Sequence, residues 1–299
     1  MRNRSSNVRA PHARSLRCPA SGGGRRPPER RHFRQPDPLR SRRLAAPGIL
    51  AVIALAVIFV ARSPRSPDGV AAARFQAGLS VLERMREIAD ESPSGIEGTE
   101  DSDLTTTPGS RSAKALTTDP RWIVFFGDAL ASAGIRSGDR VALNMSGSFP
   151  ALNLAALIAV DASGASAVST VSYGASRFGA NLPGYTWPEI HAELVRARIL
   201  REGPALVFWG GADDRLDQPE RPDGGPPRAV VRDRLALAAR RAGLSFHASR
   251  GLADGIDARL RVYSKRAPPN FFVSIGGPES SLGSCGDAFG FSSGFFAPP

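Results

Sequence analysis

Two short stretches of this chain concentrate small, hydroxylic and amide residues in a pattern that lets backbone approach a ligand. The first is Ser146-Gly147-Ser148, with Asn153 about one helical turn further on. The second runs from Tyr173 to Asn181 and contains Gly174, Ser176 and Asn181. Glycine permits close approach, hydroxyls and amides supply hydrogen bonds, and N–H groups at a helix start favour anions. Such a set suits recognition of an anionic ligand. A serine after a strand also resembles a nucleophile elbow, which makes Ser146 and Ser148 weak candidates for covalent catalysis, although neither has the flanking glycines of G-x-S-x-G. His191 with Asp213 or Asp214 would complete a triad on paper, as would many other trios. The plainer alternative is a compact turn in which Ser148 caps the next helix.

Other residues carry weaker signals. Gly210-Gly211-Ala212-Asp213-Asp214 and Gly276-Gly277-Pro278-Glu279-Ser280-Ser281 are small, polar runs of the same kind. Asp213 and Asp214 could bind a hard cation, but two carboxylates are not a cage, so solvated loop acids are the expectation. Thr105, Thr106 and Thr107, then Thr117-Thr118-Asp119, flank a segment holding Arg111 and Lys114, two cations able to meet an anion. His12, His32, His191 and His247 show no metal-ligand spacing, and Cys18 and Cys285 form no C-x-x-C. No cofactor or metal is expected.

The elements that must position these residues alternate. Apolar residues Phe75, Leu79, Leu82 and Met85 (or Arg86) recur at three- and four-residue steps, predicting a helix from Val70 to about Glu91 that packs on its own domain or serves as a stalk. Ser92 to Asp103 reads as an acidic loop. Asp119-Pro120 opens a helix, with Asp119 as N-cap, that runs to about Gly134. Strands are predicted at 140–145, 166–172, 205–209, 244–247 and 271–275, and helices at 151–163, 187–200, 229–242 and 252–265. This alternation means an α/β class: a parallel sheet of βαβ units with helices on both faces. The stretches singled out above then fall at strand C-termini, the edge where open α/β sheets bind ligands.

Charge and hydropathy are distributed unevenly. Residues 1–43 hold thirteen arginines against Glu29 and Asp37, 13 − 2 = +11, which equals the whole net charge. The remainder is neutral, so the excess belongs to a tail rich in Arg, Pro, Gly and Ser, expected to be disordered. Leu44 to Ala61 is eighteen residues without a charge. At 1.5 Å per residue that is about 27 Å of helix, close to the thickness of a bilayer core. The arginine cluster lies before it, so the positive-inside rule predicts one transmembrane helix, a cytoplasmic tail and an extracytoplasmic main domain. A cleaved signal, with Ala71 to Ala73 as cleavage candidates, is the alternative. A basic arm running straight into an apolar span is topogenic, and no nucleic-acid partner is expected. The domains expected are therefore 1–43 tail, 44–61 span, 62–103 linker and amphipathic helix, and 104–299 α/β domain.

Five blocks in order carry a family resemblance: LTTTPGSRSAKALTTDPRW (104–122), SGSFPALN (146–153), YGASRFGAN (173–181) with Trp187, GGADD (210–214) and IGGPESSLG (275–283). Together they resemble the poly-gamma-glutamate system protein family, bacterial proteins with an N-terminal membrane segment encoded beside the machinery that makes and exports that polymer. The resemblance implies an accessory role in poly-gamma-glutamate synthesis or export, without a particular reaction. The partners it implies are the membrane and the synthase, the export proteins or the polymer itself. A serine-dependent hydrolase or amide-transferring enzyme acting on the polymer is the alternative.

Overall fold

The computed structural model describes residues 67–90, 95–217, 225–276 and 279–282. The predicted tail and the predicted span at 44–61 lie outside these residues. Among the described residues no helix is long and apolar enough to cross a membrane.

Eight helices and eight strands follow in chain order among these residues. They are α1 (Gly69–Ala89), β1 (Thr105–Thr107), α2 (Arg111–Ala115), α3 (Arg121–Ser132), β2 (Arg140–Met145), α4 (Pro150–Ala162), β3 (Ser166–Ser172), β4 (Ala175–Ser176), β5 (Asn181–Leu182) and β6 (Tyr185–Thr186). Then come α5 (Trp187–Arg196), β7 (Leu206–Phe208), α6 (Arg228–Arg241), α7 (Leu252–Ser264), β8 (Phe271–Ile275) and α8 (Glu279–Leu282). The central sheet has four parallel strands in the order β7-β3-β2-β8. Predicted strand 244–247 is reduced to a single bridge between Phe246 and Val207 on the outside of β7. The chain thus winds outward from β2 and returns to place β8 on β2's other side. Its direction reverses between β2 and β8, and a reversal of this kind opens a crevice at the strand C-termini.

Alternation along the strands gives the sheet two different faces. Val141, Leu143, Met145, Val171 and Val207 are buried and apolar, whereas Asn144, Thr170 and Phe208 point the other way, against α7. Helix α4 covers the apolar face. Ten of its thirteen residues are buried because it is enclosed by α1 and α3 as well as the sheet. Pro150 stands at its start, where a missing N–H leaves no bond unmade.

Helix α1 belongs to this body. Its stripe Phe75, Leu79, Val81 and Leu82 is buried against α4 and α5. A Cβ on Gly78 would lie 2.6 Å from Leu154 of α4, so the helices approach where that side chain is missing. Arg74 ties the pair by reaching Asp161 at 2.7 Å. Of the two readings of this helix, packing on its own domain is the observed one. The sequence-based boundary at residue 104 therefore cuts through a continuous core.

Thr105–Thr107 is an unpredicted strand, paired in parallel with β4, and two expectations are corrected. Asp119 does not stand at the N-cap of α3; that position is Pro120, and the Asp119 carboxylate accepts from the Arg121 N–H at 2.9 Å. Helix α5 stops at Arg196, where Arg198 turns left-handed (φ 58°), and does not extend to Leu200.

Candidate functional site

Ser146 begins where β2 ends. Its N–H donates to the Ile275 carbonyl of β8 at 3.2 Å, which joins the two strands at the point of reversal. Its hydroxyl donates to Ser148 Oγ at 3.1 Å, and Ser148 Oγ accepts the Ser176 N–H at 3.0 Å. Asn153, one turn into α4, donates from Nδ2 to the Ser146 carbonyl at 2.8 Å, while its buried Oδ1 has no partner among the described residues. Gly147 is held on both sides. Its N–H donates to the Gly174 carbonyl at 3.2 Å, and its carbonyl accepts from Ala180 at 2.7 Å. A Cβ there would lie 2.8 Å from the Ala180 oxygen, so glycine is required.

Asn181 clamps the segment that precedes β1. Its Oδ1 accepts the Thr99 N–H at 3.0 Å, and its Nδ2 donates to the Thr99 carbonyl and to Thr105 Oγ1, both at 2.9 Å. Ser146, Gly147, Ser148, Asn153, Gly174, Ser176 and Asn181 therefore form one hydrogen-bonded assembly at the C-terminal edge of the sheet. Ser146, Ser148, Asn153, Ser176 and Asn181 are all buried. The two loops bond to each other, because backbone N–H and C=O groups leaving a strand end need partners and each loop supplies the other's.

Lys114 enters this assembly from α2. Its Nζ lies 2.7 Å from Ser176 Oγ and 3.6 Å above the Phe149 ring, and the side chain is 2% exposed. Among the described residues no carboxylate is within ion-pair distance of it. Burial lowers its pKa to about 8. The sequence grouped Lys114 with Arg111 as two cations able to meet an anion, and the two part company: Arg111 is exposed and pairs loosely with Glu97 at 3.8 Å. One signal was available. The chain has two lysines, Lys114 and Lys265, against 37 arginines, so a lysine in this composition stands out.

Asp213 and Asp214 follow β7 and take no part in the serine assembly. Both are left-handed (φ 55° and 54°), as is Leu216 (φ 57°), within a loop that starts with left-handed Gly210 and Gly211. Non-glycine residues in that region store strain. The strain is held by what the carboxylates reach. Asp214, 2% exposed, accepts two hydrogen bonds from Arg259 of α7 at 2.7 and 2.9 Å and one from Ser249 at 2.7 Å. Asp213 Oδ1 accepts the Leu252 N–H at 3.0 Å and so caps α7. The expectation of solvated loop acids fails for Asp214, and both carboxylates are committed to α7 instead of a cation. Among the described residues no three His, Cys, Asp or Glu side chains group as metal ligands.

Arg259 and Tyr263 went unremarked in the sequence, where α7 reads as an ordinary helix. Arg259 stacks 3.6 Å from the Phe208 ring centroid and donates to Asn144 Oδ1 at 3.3 Å, and that same oxygen accepts from Thr170. Tyr263 bonds to Thr170. Asn144 also reaches Ser280 at 3.1 Å, so this polar layer extends to α8 at the switch point. The paper triad does not assemble: His191 Nε2 lies 3.0 Å from the Glu202 carbonyl, and the ring packs on Trp187.

Fold and site together define an α/β protein with a parallel sheet and a serine- and glycine-rich strand-end assembly at its topological switch point. Comparisons with known family models, curated proteins and solved structures give no match.

Proposed function

We propose that this chain is a membrane-anchored accessory component of poly-gamma-glutamate synthesis or export. Residues 44–61 would hold it in the membrane with the arginine-rich tail inside and the α/β domain outside. The observation that carries the reading is convergence. The segments 104–122, 146–153 and 173–181 and the described residues 275–276 and 279–282 of the last block, dispersed in sequence, meet at one sheet edge through the pairing of β1 with β4 and the contacts of Ser146 with Ile275 and Ser176 with Ser148. A parallel sheet brings its strand ends to one edge in any case; what these segments add is that they join there in one hydrogen-bonded assembly, at the edge where open α/β sheets bind ligands. The ligand suited to it is anionic, since Lys114 supplies an uncompensated cation beside the start of α4. A catalytic version of the same role, hydrolysis or amide transfer on the polymer, is favoured by one contact, Lys114 Nζ against Ser176 Oγ.

Two measurements test this. Deleting the gene in its native host should abolish or sharply reduce released poly-gamma-glutamate, with recovery on complementation; unchanged polymer output overturns the role. External protease on spheroplasts should remove the α/β domain, whereas protection until lysis reverses the proposed sidedness.

A further inference from the structure

Beyond binding, the strand-edge assembly contains the parts of a reactive serine. We propose that Lys114 and Ser176 are a general base and nucleophile pair that attacks an amide of an acidic acyl chain, with Ser146 and Ser148 as positioning residues. This rests on reading the same edge as the place where the polymer is handled.

Four observations carry it. Lys114 Nζ is 2.7 Å from Ser176 Oγ, within the reach a base needs. The amine is buried against one hydroxyl and the Phe149 ring with no carboxylate within ion-pair distance among the described residues, an expensive way to fill space if filling space were its purpose. A lysine can give up its proton when desolvated and an arginine cannot, and this chain, which uses arginine at 37 of its 39 cationic positions, keeps lysine here. Finally, Ser176 is fixed for the task. Its N–H is held by Ser148 Oγ, itself bonded by Ser146, and Gly109 packs against the Ser176–Arg177 backbone, where a Cβ would lie 2.5 Å from the Arg177 oxygen. Arg177, next to Ser176, is half-exposed and pairs with the surface acids Glu100 and Asp101, ready to exchange them for carboxylates of a substrate, while Arg111, one turn before Lys114, is exposed, lies over the Phe178 ring and pairs loosely with the largely buried Glu97.

In the step, neutral Lys114 accepts the Ser176 hydroxyl proton as Oγ bonds to the amide carbonyl carbon. The carbon–nitrogen bond then breaks, and Lys114 returns the proton to the departing amine. Water, or a second amine, displaces the acyl group from Oγ. Its proton passes through Lys114 back to the serine oxygen, giving hydrolysis or transfer.

The test is labelling of the full-length membrane chain with a fluorophosphonate, read by peptide mass spectrometry. Label is expected on Ser176, at a rate that rises with pH about a midpoint near 8 because the neutral amine is the active form. Lys114→Met and Lys114→Arg should each slow it by roughly 100-fold or more, with circular dichroism unchanged. Label on Ser146 or Ser148, an equal rate in Lys114→Met, or no label on folded protein at neutral or alkaline pH overturns the pair. Should either variant fail to fold, the labelled position and pH profile of the unaltered chain decide. Labelled Ser176 with poly-gamma-glutamate left intact on incubation supports the pair and removes the polymer as its substrate.

Discussion

Lys114 and Arg259 are both buried cations, and the domain treats them in opposite ways. Arg259, 3% exposed, has a bidentate carboxylate, an aromatic face and the Asn144 oxygen. Breaking such a pair leaves one charge stranded, so Asp214→Ala should lower stability by about 3–5 kcal/mol in urea unfolding. It should also release the left-handed loop that Asp214 anchors. Lys114 has no counter-ion, so the opposite is expected: Lys114→Met should stabilise the protein at neutral pH by about 1 kcal/mol or more. The sign follows from proton binding. The folded amine titrates near 8 and the unfolded one near 10.5, so between those values the unfolded chain holds more protons. Stability of the unaltered protein therefore climbs as pH rises from 8 to 10.5, and the advantage of the methionine variant fades over that interval. Residues that gain stability when removed are commonly kept for function.

Helix α5 shows how an element is held in place by its ends and its buried face. Thr186 and Glu189 form a reciprocal capping box, the Thr186 hydroxyl reaching Glu189 at 2.6 Å. Thr186→Ala should cost about 1 kcal/mol in the same assay. His191 lies on its inner face, and burial holds the imidazole pKa down to about 4. Between pH 4 and the usual 6.5 the unfolded chain binds a proton that the folded one refuses, so stability falls as pH drops through that window. His191→Leu should flatten that slope in a pH series of unfolding midpoints.

For the molecule as a whole, the unexpected contribution comes from α1. Phe75 and Leu82 are fully buried, and Tyr185 bonds to the Ile96 carbonyl, so residues before 104 complete the core of the domain that follows. Phe75→Ala should lower stability by about 3–5 kcal/mol. A chain started at residue 104 should lose its near-ultraviolet circular dichroism signal, while one started at residue 67 keeps it.

Long periodic elements were readable from the chain alone. The bounds of β2, β3 and β8 match the expectation residue for residue, and α4, α6 and α7 do so to within a residue at either end, because buried strands and amphipathic helices write their period into local composition. The two-residue strands and β1 were not readable, since Thr105–Thr107 becomes a strand only because β4 lies beside it. The serine and glycine positions were legible as a strand-end cluster, and the parallel alternation of elements placed them on one edge. What they do to each other was not. That Lys114 turns inward to Ser176 while Arg111 stays outside, and that Asp214 is buried under α7 rather than solvated, depend on contacts across 62 and 45 residues. Local sequence determines which segments can form strands and helices; which polar groups are stripped of water, and beside which partner, is settled only when distant segments close on one another and desolvate them.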